Sequence, residues 1–387
     1  MAQKYDFIVV GAGILGIFHA YHAAAMGLSV LLLEKNPSPQ GATVRNFGQV
    51  VPSGMPQGKW QEYGIYATRL YKELQASAGL NIRCEGSTYV ASDEEEMTLL
   101  EELHKINTAN DYPSAMLTAE EACHRLPGLK RSYAKGALYF PEEITADSRV
   151  LASQLIDFLR ENIGVVYRNR QNVTACAYAN GVCTVQTATG DVYHASQVAL
   201  CNGSDFQALF PSLFYAANIE VTKLQMLETK PQTGYSLPGN VLTGLTIRRY
   251  ESFRECPSYQ AMDHDAAQPE LRALGIHLLF KQTAEGTIYL GDSHEYQDAP
   301  DAGLLGYELD ETINALMLKE ARRIFGLPHW EIRKAWYGIY AQHKADAIFQ
   351  HTLDGHIHIA TAIGGKGMTT AAGFAKENIE AIFNLQP

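Results

Sequence analysis

The chain has 387 residues, 46% hydrophobic and 19% charged with 32 glycines, which is the balance of a folded globular protein and not of a disordered one. Its 31 Lys and Arg against 42 Asp and Glu leave a net charge of −11 with no Lys/Arg-rich run, so nucleic acid is excluded as the expected partner. At roughly 100 to 200 residues per domain the length predicts two domains.

Residues 5–10 (YDFIVV) are a near-continuous, β-branched apolar run, the pattern of a central parallel strand buried on both faces. The hexapeptide at 11–16 (GAGILG) follows at once, the alanine-rich stretch 17–26 predicts a helix stopped by Gly27, and 29–33 (SVLLL) predicts the next strand, ending at Glu34. Residues 41–58 are dense in Gly and Pro without helical or strand period, and a loop that long inside a compact domain is usually functional. Helices are predicted over 60–78 and 93–107, strands over 88–91 and 136–145, and a helix capped by Asp147 or Ser148 running to about 161. Strands at 164–167, from 173 onward and at 197–200 return to the first domain. The segments 221–228, 247–250, 277–281 and 287–291 read as a largely antiparallel sheet. A strand at 356–360, a glycine turn at 364–367 and a helix over 368–383 close the chain.

The six cysteines show no C-x-x-C pair and no Cys/His ligand spacing, so no metal is expected, and they read as reduced thiols of a cytoplasmic protein. Residues 1–4 are too short and polar for a signal peptide, and no stretch approaches the roughly 20 apolar residues of a spanning helix.

In G-x-G-x-x-G the first glycine permits a tight turn, the second lets a pyrophosphate approach the backbone, and the third lets helix and strand pack closely. Gly11, Gly13 and Gly16 stand at those places, and a helix starting near Ile14 and Leu15 directs its positive end at the pyrophosphate. Glu34 is the expected acceptor for ribose hydroxyls, which argues against NADP but leaves FAD and NAD open. Two features favour FAD: the fingerprint runs directly into a long glycine loop, and the C-terminal glycine turn supplies a second helix N-terminus, suited to the negative charge a flavin gains on reduction.

These motifs, with Glu34-Lys35, the R-N-F-G at Arg45–Gly48, the C-N-G-S at Cys201–Ser204 and the A-I-G-G-K-G-M-T at Ala362–Thr369, resemble the FAD-dependent D-amino-acid oxidase superfamily, which includes glycine and sarcosine oxidases. The combination of V-R-N-F-G, G-D-S-H-E-Y at 291–296 and G-G-x-G-M-T is similar to a bacterial subgroup associated with aminophosphonate breakdown. The resemblance implies an α/β fold, with a Rossmann-like FAD-binding domain of the glutathione-reductase type (1–85, 146–215 and 330–387) and an antiparallel-sheet substrate domain (86–145 and 216–329). It implies oxidation of a small amine by hydride transfer to flavin N5, imine hydrolysis, and reoxidation by oxygen or another acceptor. It assigns the ADP moiety to Gly11, Gly13, Gly16, Glu34 and Lys35, and the flavin to Arg45, Asn46, Phe47 and Gly48. Val173 falls near the adenine and Asn202 and Gly203 on the path back. Gly365, Lys366, Gly367, Met368 and Thr369 fall at the flavin's pyrimidine edge, and the FAD is expected to be non-covalent.

Hydride transfer needs the amine neutral and the C–H held about 3 to 3.5 Å from the acceptor, so substrate residues must bind an anion at one end and leave the amine near the flavin. Arg248 and Arg249 fall in the strand predicted at 247–250, where alternation points one of them at the pocket, although a strand arginine is ordinarily solvated or ion-paired. Lys366 is a candidate charge near the flavin or the substrate anion. His294, beside Asp292 and Ser293, is a candidate for binding phosphonate oxygens or tuning the amine's protonation. Tyr337, like Tyr289 and Trp336, is a candidate for closing the pocket. A flavoprotein dehydrogenase of a hydroxy acid or polyol phosphate, and a non-catalytic flavoprotein subunit, are the competing readings.

Overall fold

The computed structural model describes residues 4–262 and 268–383. Lys4–Val10 is central because its side chains have packing partners on both faces: Phe7, Ile8 and Val9 are fully buried. It pairs in parallel with Val30–Leu33 on one side and Val192–Leu200 on the other, and Val166–Arg168 extends the parallel run. The edge beyond Val192–Leu200 divides. Its first half pairs antiparallel with Val182–Thr187, which pairs with Val173–Ala179, while its last residues pair in parallel with Ile357–Thr361 from the far end of the chain. Helices Ile14–Ala25, Lys59–Ala78 and Gly367–Ile382 share one apolar cluster with this sheet, in which Phe18 meets Tyr71 edge to face at 5.5 Å and Trp60 stacks on Phe374 at 6.3 Å.

A nine-stranded, mostly antiparallel sheet forms the second body. Its spine is Ile219–Thr229, paired along its length with Ile332–His343 and on the other side with Glu295–Asp298 and then Ile288–Gly291. Leu279–Gln282, Asn240–Thr243, Ser87–Ala91, Gly136–Phe140 and Ala115–Thr118 follow outward, with the one parallel step between Asn240–Thr243 and Ser87–Ala91. Ile332–His343 therefore lies in the second sheet, whereas Phe349–Leu353 and Ile357–Thr361 lie in the first. Among the described residues no helix is long and apolar enough to cross a membrane.

Two expected strands fold otherwise. The run 136–145 breaks after Phe140, because Pro141 lacks the N–H a ladder needs, and resumes as Ile144–Ala146 in a separate three-stranded sheet. The expected strand at 247–250 is instead the end of a short helix, Gly244–Ile247, with Arg248 N and Tyr250 N donating back to Gly244 O and Thr246 O. The turn packs against a distant residue: a Cβ on Gly244 would sit 2.4 Å from an oxygen of the buried Glu96, so glycine lets the two come together.

Candidate active site

A single cavity of about 1160 Å³ runs from Gly11 and Glu34 to Arg249 and His294. That exceeds the ~300–1,000 Å³ of an ordinary small-ligand pocket and suits a dinucleotide with a substrate beside it.

The near end is built by the first β-α-β unit. Gly11 holds φ +101°, and a Cβ there would lie 2.3 Å from the carbonyl oxygen of Cys201, so the turn admits no side chain. A Cβ on Gly16 would lie 1.9 Å from Gly11 O, which is the close helix-to-strand approach. Gly13 has no side chain to cap the helix, Thr43 Oγ1 accepts from Ile14 N at 2.9 Å, and Gly13, Ile14 and Leu15 line the cavity, so the helix N-terminus faces it. Glu34 is buried and oriented: one oxygen accepts from Ala12 N at 3.1 Å, the other from Asn36 N and Nδ2 at 3.0 Å. Lys35 pairs with Asp205 at 2.5 Å, and Val173, Asn202 and Gly203 complete this end.

The middle is the glycine loop. Asn46 Nδ2 donates to Ala42 O and Thr43 O, Asn46 Oδ1 accepts from Gly48 N at 2.6 Å, and Ser148 Oγ donates to Asn46 O at 2.6 Å. From below, the buried Lys281 donates to Phe47 O and Ala146 O at 2.5 Å each, and burial pushes its ammonium down to about 7. Asn46, Phe47 and Gly48 line the cavity. Arg45 is absent from its wall; its Nε donates to Gln40 O at 2.7 Å and its carbonyl accepts from Trp336 Nε1 at 3.0 Å. Opposite stand Gly365, Lys366, Gly367, Met368 and Thr369, with Thr369 Oγ1 accepting from Val51 N. Lys366 is paired with Glu251 at 3.1 Å.

The far end belongs to the second sheet. Asp292 Oδ1 lies 3.1 Å from His277 Nε2 and 3.7 Å from His294 Nδ1, and the two imidazoles stack at 5.3 Å. His277 Nδ1 contacts Thr246 Oγ1 at 3.0 Å and His294 Nδ1 contacts Gly275 O at 3.1 Å. Burial pushes His294 down to about 3 and His277 below its ordinary value, so both rings are neutral near pH 7. Burial alone would raise the Asp292 carboxyl; the facing His294, His277 and Arg249 outweigh it and hold it below the usual range. Arg249 Nη2 donates to Tyr296 Oη at 2.6 Å, and Arg254, Arg272, Tyr250 and Tyr340 share the wall.

The four residues expected to act on substrate divide. His294 and Lys366 line the cavity. Arg248 also reaches its wall, but its guanidinium is held by Asp93, Glu95 and Glu96; Arg249, which donates to Tyr296 Oη, lines the far end instead. Tyr337 is absent from the wall, its ring lying 5.8 Å from the Arg45 guanidinium and 5.5 Å from Lys223 Nζ; Tyr340, three places on, takes the cavity position. His277 escaped the sequence reading, which saw no ligand-like set because its partners stand 15 and 17 positions away in chain order. The donor atoms of His277, Asp292 and His294 all lie within 4.8 Å of one another.

The sequence pattern of the FAD dependent oxidoreductase family matches residues 6–380. The chain belongs to that family. Its cofactor is FAD, which the glycine cradle, the oriented Glu34 and the length of the cavity fit. It is 24% identical over 296 residues to an Escherichia coli L-2-hydroxyglutarate dehydrogenase, covering 74% of this chain and 63% of that one. It is 27% identical over 255 residues to a Streptomyces avermitilis monomeric sarcosine oxidase, covering 62% of each. The match thus spans less than two thirds of both relatives. Glycine oxidase from Geobacillus kaustophilus superposes with a TM-score of 0.78 at 15% identity, over 100% of this chain and 96% of that one, a likeness of fold alone.

Proposed function

We propose that this FAD-dependent oxidoreductase oxidises the C–N bond of a small amine that carries an anionic group, an amino acid or an aminophosphonate, N-methylated forms included. The observation that carries the reading is the far end of the cavity, where Arg249 and Asp292 both line the wall that continues from the dinucleotide cradle. A guanidinium binds a carboxylate or phosphonate by two parallel hydrogen bonds. When bound, FAD supplies the two-electron acceptor. The chain's residues hold the anion, position the C–H and exclude water. Loss of hydride and proton leaves an imine, which water converts to an aldehyde or keto acid with release of ammonia or methylamine. Oxygen or another acceptor takes the electrons.

The FAD is held non-covalently in this reading. Cys201, at the cavity wall, has a thiol that burial pushes up to about 12 and so is no nucleophile. The six free cysteines accord with a cytoplasmic protein. In this reading the cofactor unit comprises, among the described residues, 4–85, 146–215 and 330–383 less the strand Ile332–His343.

Similarity to L-2-hydroxyglutarate dehydrogenase favours one second reading, oxidation of a hydroxy acid in the same cavity, with a neutral imidazole of His277 or His294 taking the hydroxyl proton. Turnover with a panel of amino acids, 2-aminoethylphosphonate, its N-methyl form and 2-hydroxy acids separates the two. Carbonyl product together with equimolar ammonia or methylamine supports the first; carbonyl product from hydroxy acids alone rejects it.

A further inference from the structure

We infer that Tyr296 is a positioning residue for the substrate's anion: its phenol oxygen aims the Arg249 guanidinium and, being neutral, leaves that guanidinium its charge. This rests on the reading above, in which a guanidinium at the far end of the cavity receives the anion.

Two neighbouring arginines show what the phenol does. Arg248 is held by Asp93, Glu95 and Glu96, carboxylates that cancel its charge. Arg249 lines the cavity and donates from Nη2 to Tyr296 Oη at 2.6 Å, and no carboxylate of the described residues stands within ion-pair distance of it. Asp292, on the same wall, lies 3.1 Å from His277 Nε2 instead. A guanidinium carries several N–H donors in a rigid fork, so one bond fixes its direction and leaves the others for a ligand. A carboxylate in place of the phenol would fix the direction too, but it would satisfy the charge that an anionic ligand needs.

The phenol is itself fixed, although Tyr296 is 40% exposed. Its ring stacks on His294 at 6.0 Å, and His294 stacks on His277 at 5.3 Å, with interplanar angles of 23° and 21°. His277 Nδ1 lies 3.0 Å from Thr246 Oγ1, and Thr246 O accepts from Arg249 N at 3.1 Å. The contacts close a ring through Thr246, His277, His294, Tyr296 and Arg249, which ties the Gly244–Ile247 turn to the strand Glu295–Asp298. Arg249 can swing only if a stack or a hydrogen bond of that ring breaks. It therefore meets its ligand already oriented, which spares the rotamer entropy a loose arginine would lose on binding.

The test uses the FAD-loaded enzyme, with the flavin spectrum as folding control, and the probes propionate, ethylphosphonate and the uncharged propionamide. Tyr296→Phe keeps the stacked ring and removes the acceptor. It should bind both anions about tenfold more weakly, the worth of one orienting hydrogen bond, while binding propionamide within about twofold of wild type. In an Arg249→Met background the same substitution should change anion affinity by less than about twofold, because a residue that acts through Arg249 has nothing left to act on. Full anion affinity in Tyr296→Phe, an equal loss for propionamide, or a loss that persists without Arg249 would overturn the inference. If Tyr296→Phe does not retain its flavin, Tyr296→Gln and Tyr296→Glu decide, since they match in shape and differ in charge. The Gln variant should bind the anions at least about tenfold more tightly than the Glu variant, and equal affinity overturns the inference. A wild-type enzyme that prefers neither anion to propionamide fails the functional reading itself, which is a separate result.

Discussion

Arg248 Nε lies 2.8 Å from Glu96 Oε1 in an ion pair whose side chains are 5% and 2% exposed, and Asp93 and Glu95 close around the same guanidinium. Glu96 also accepts from Ser92 N and Oγ at 2.7 Å, so the cluster ties the start of the helix Glu94–Ala109 to the Gly244–Ile247 turn. Removing one partner of a buried pair leaves the other uncompensated, at a cost of about 3–5 kcal/mol. Arg248→Met should therefore lower stability by about that amount in urea unfolding of the FAD-loaded protein. A loss below about 1 kcal/mol would show that the pair is not a structural anchor.

Arg249, one residue on, should behave in the opposite way. Its side chain faces the cavity, so Arg249→Met should weaken binding of an anionic substrate analogue by about 100-fold, near 3 kcal/mol, while leaving the urea midpoint within error of wild type. Arg249→Lys should recover only part of the affinity, because a point charge lacks the fork. Titration calorimetry with ethylphosphonate or propionate checks both.

Glu143 supplies a pH dependence. It is fully buried, accepts from Ser53 N at 2.8 Å and Tyr112 Oη at 3.2 Å, and burial raises its carboxyl to about 7. A folded-state value above the unfolded one means that the folded protein binds the extra proton. Its contribution is complete below about 4.5 and is lost as pH rises through about 7. Glu143→Gln should therefore flatten the fall in urea midpoint between those values, and an identical slope in the two proteins would refute the assignment.

Gly11→Ala should purify with little FAD. An alanine would have to hold φ +101° with its methyl against the Cys201 carbonyl, and the strain alone is about 1–2 kcal/mol before the clash is counted. Flavin absorbance per chain, with far-ultraviolet circular dichroism as the folding control, measures it; full FAD content would contradict the role given to the turn.

The first β-α-β unit was legible because its signals are short-range: an apolar strand, three glycines at fixed spacing and Glu34 in register. The loop at Arg45–Gly48 was legible as a loop, but not that Lys281, more than two hundred residues away, would hold it by two carbonyls. The misread strand at 247–250 carries the sharper lesson. Ile247-Arg248-Arg249-Tyr250 has strand composition, yet it closes the turn of Gly244–Ile247, where Gly244 leaves space for Glu96, a contact across 148 positions of chain. That local change reassigned the two arginines, sending Arg248 to a structural cluster and Arg249 to the cavity. His277 and Asp292 meet because Leu279–Gln282 and Ile288–Gly291 pair antiparallel, a register that one-dimensional spacing does not encode.

The measurement that tests the central claim most directly is anaerobic mixing of the FAD-loaded enzyme with 2-aminoethylphosphonate, its N-methyl form, glycine, sarcosine and 2-hydroxyglutarate, followed at the flavin's visible absorbance. Oxidation of an anionic amine predicts rapid bleaching by at least one of the first four, slowed when the hydrogens on the carbon bearing nitrogen are replaced by deuterium. Bleaching by the hydroxy acid alone, or by none of the five, would contradict it.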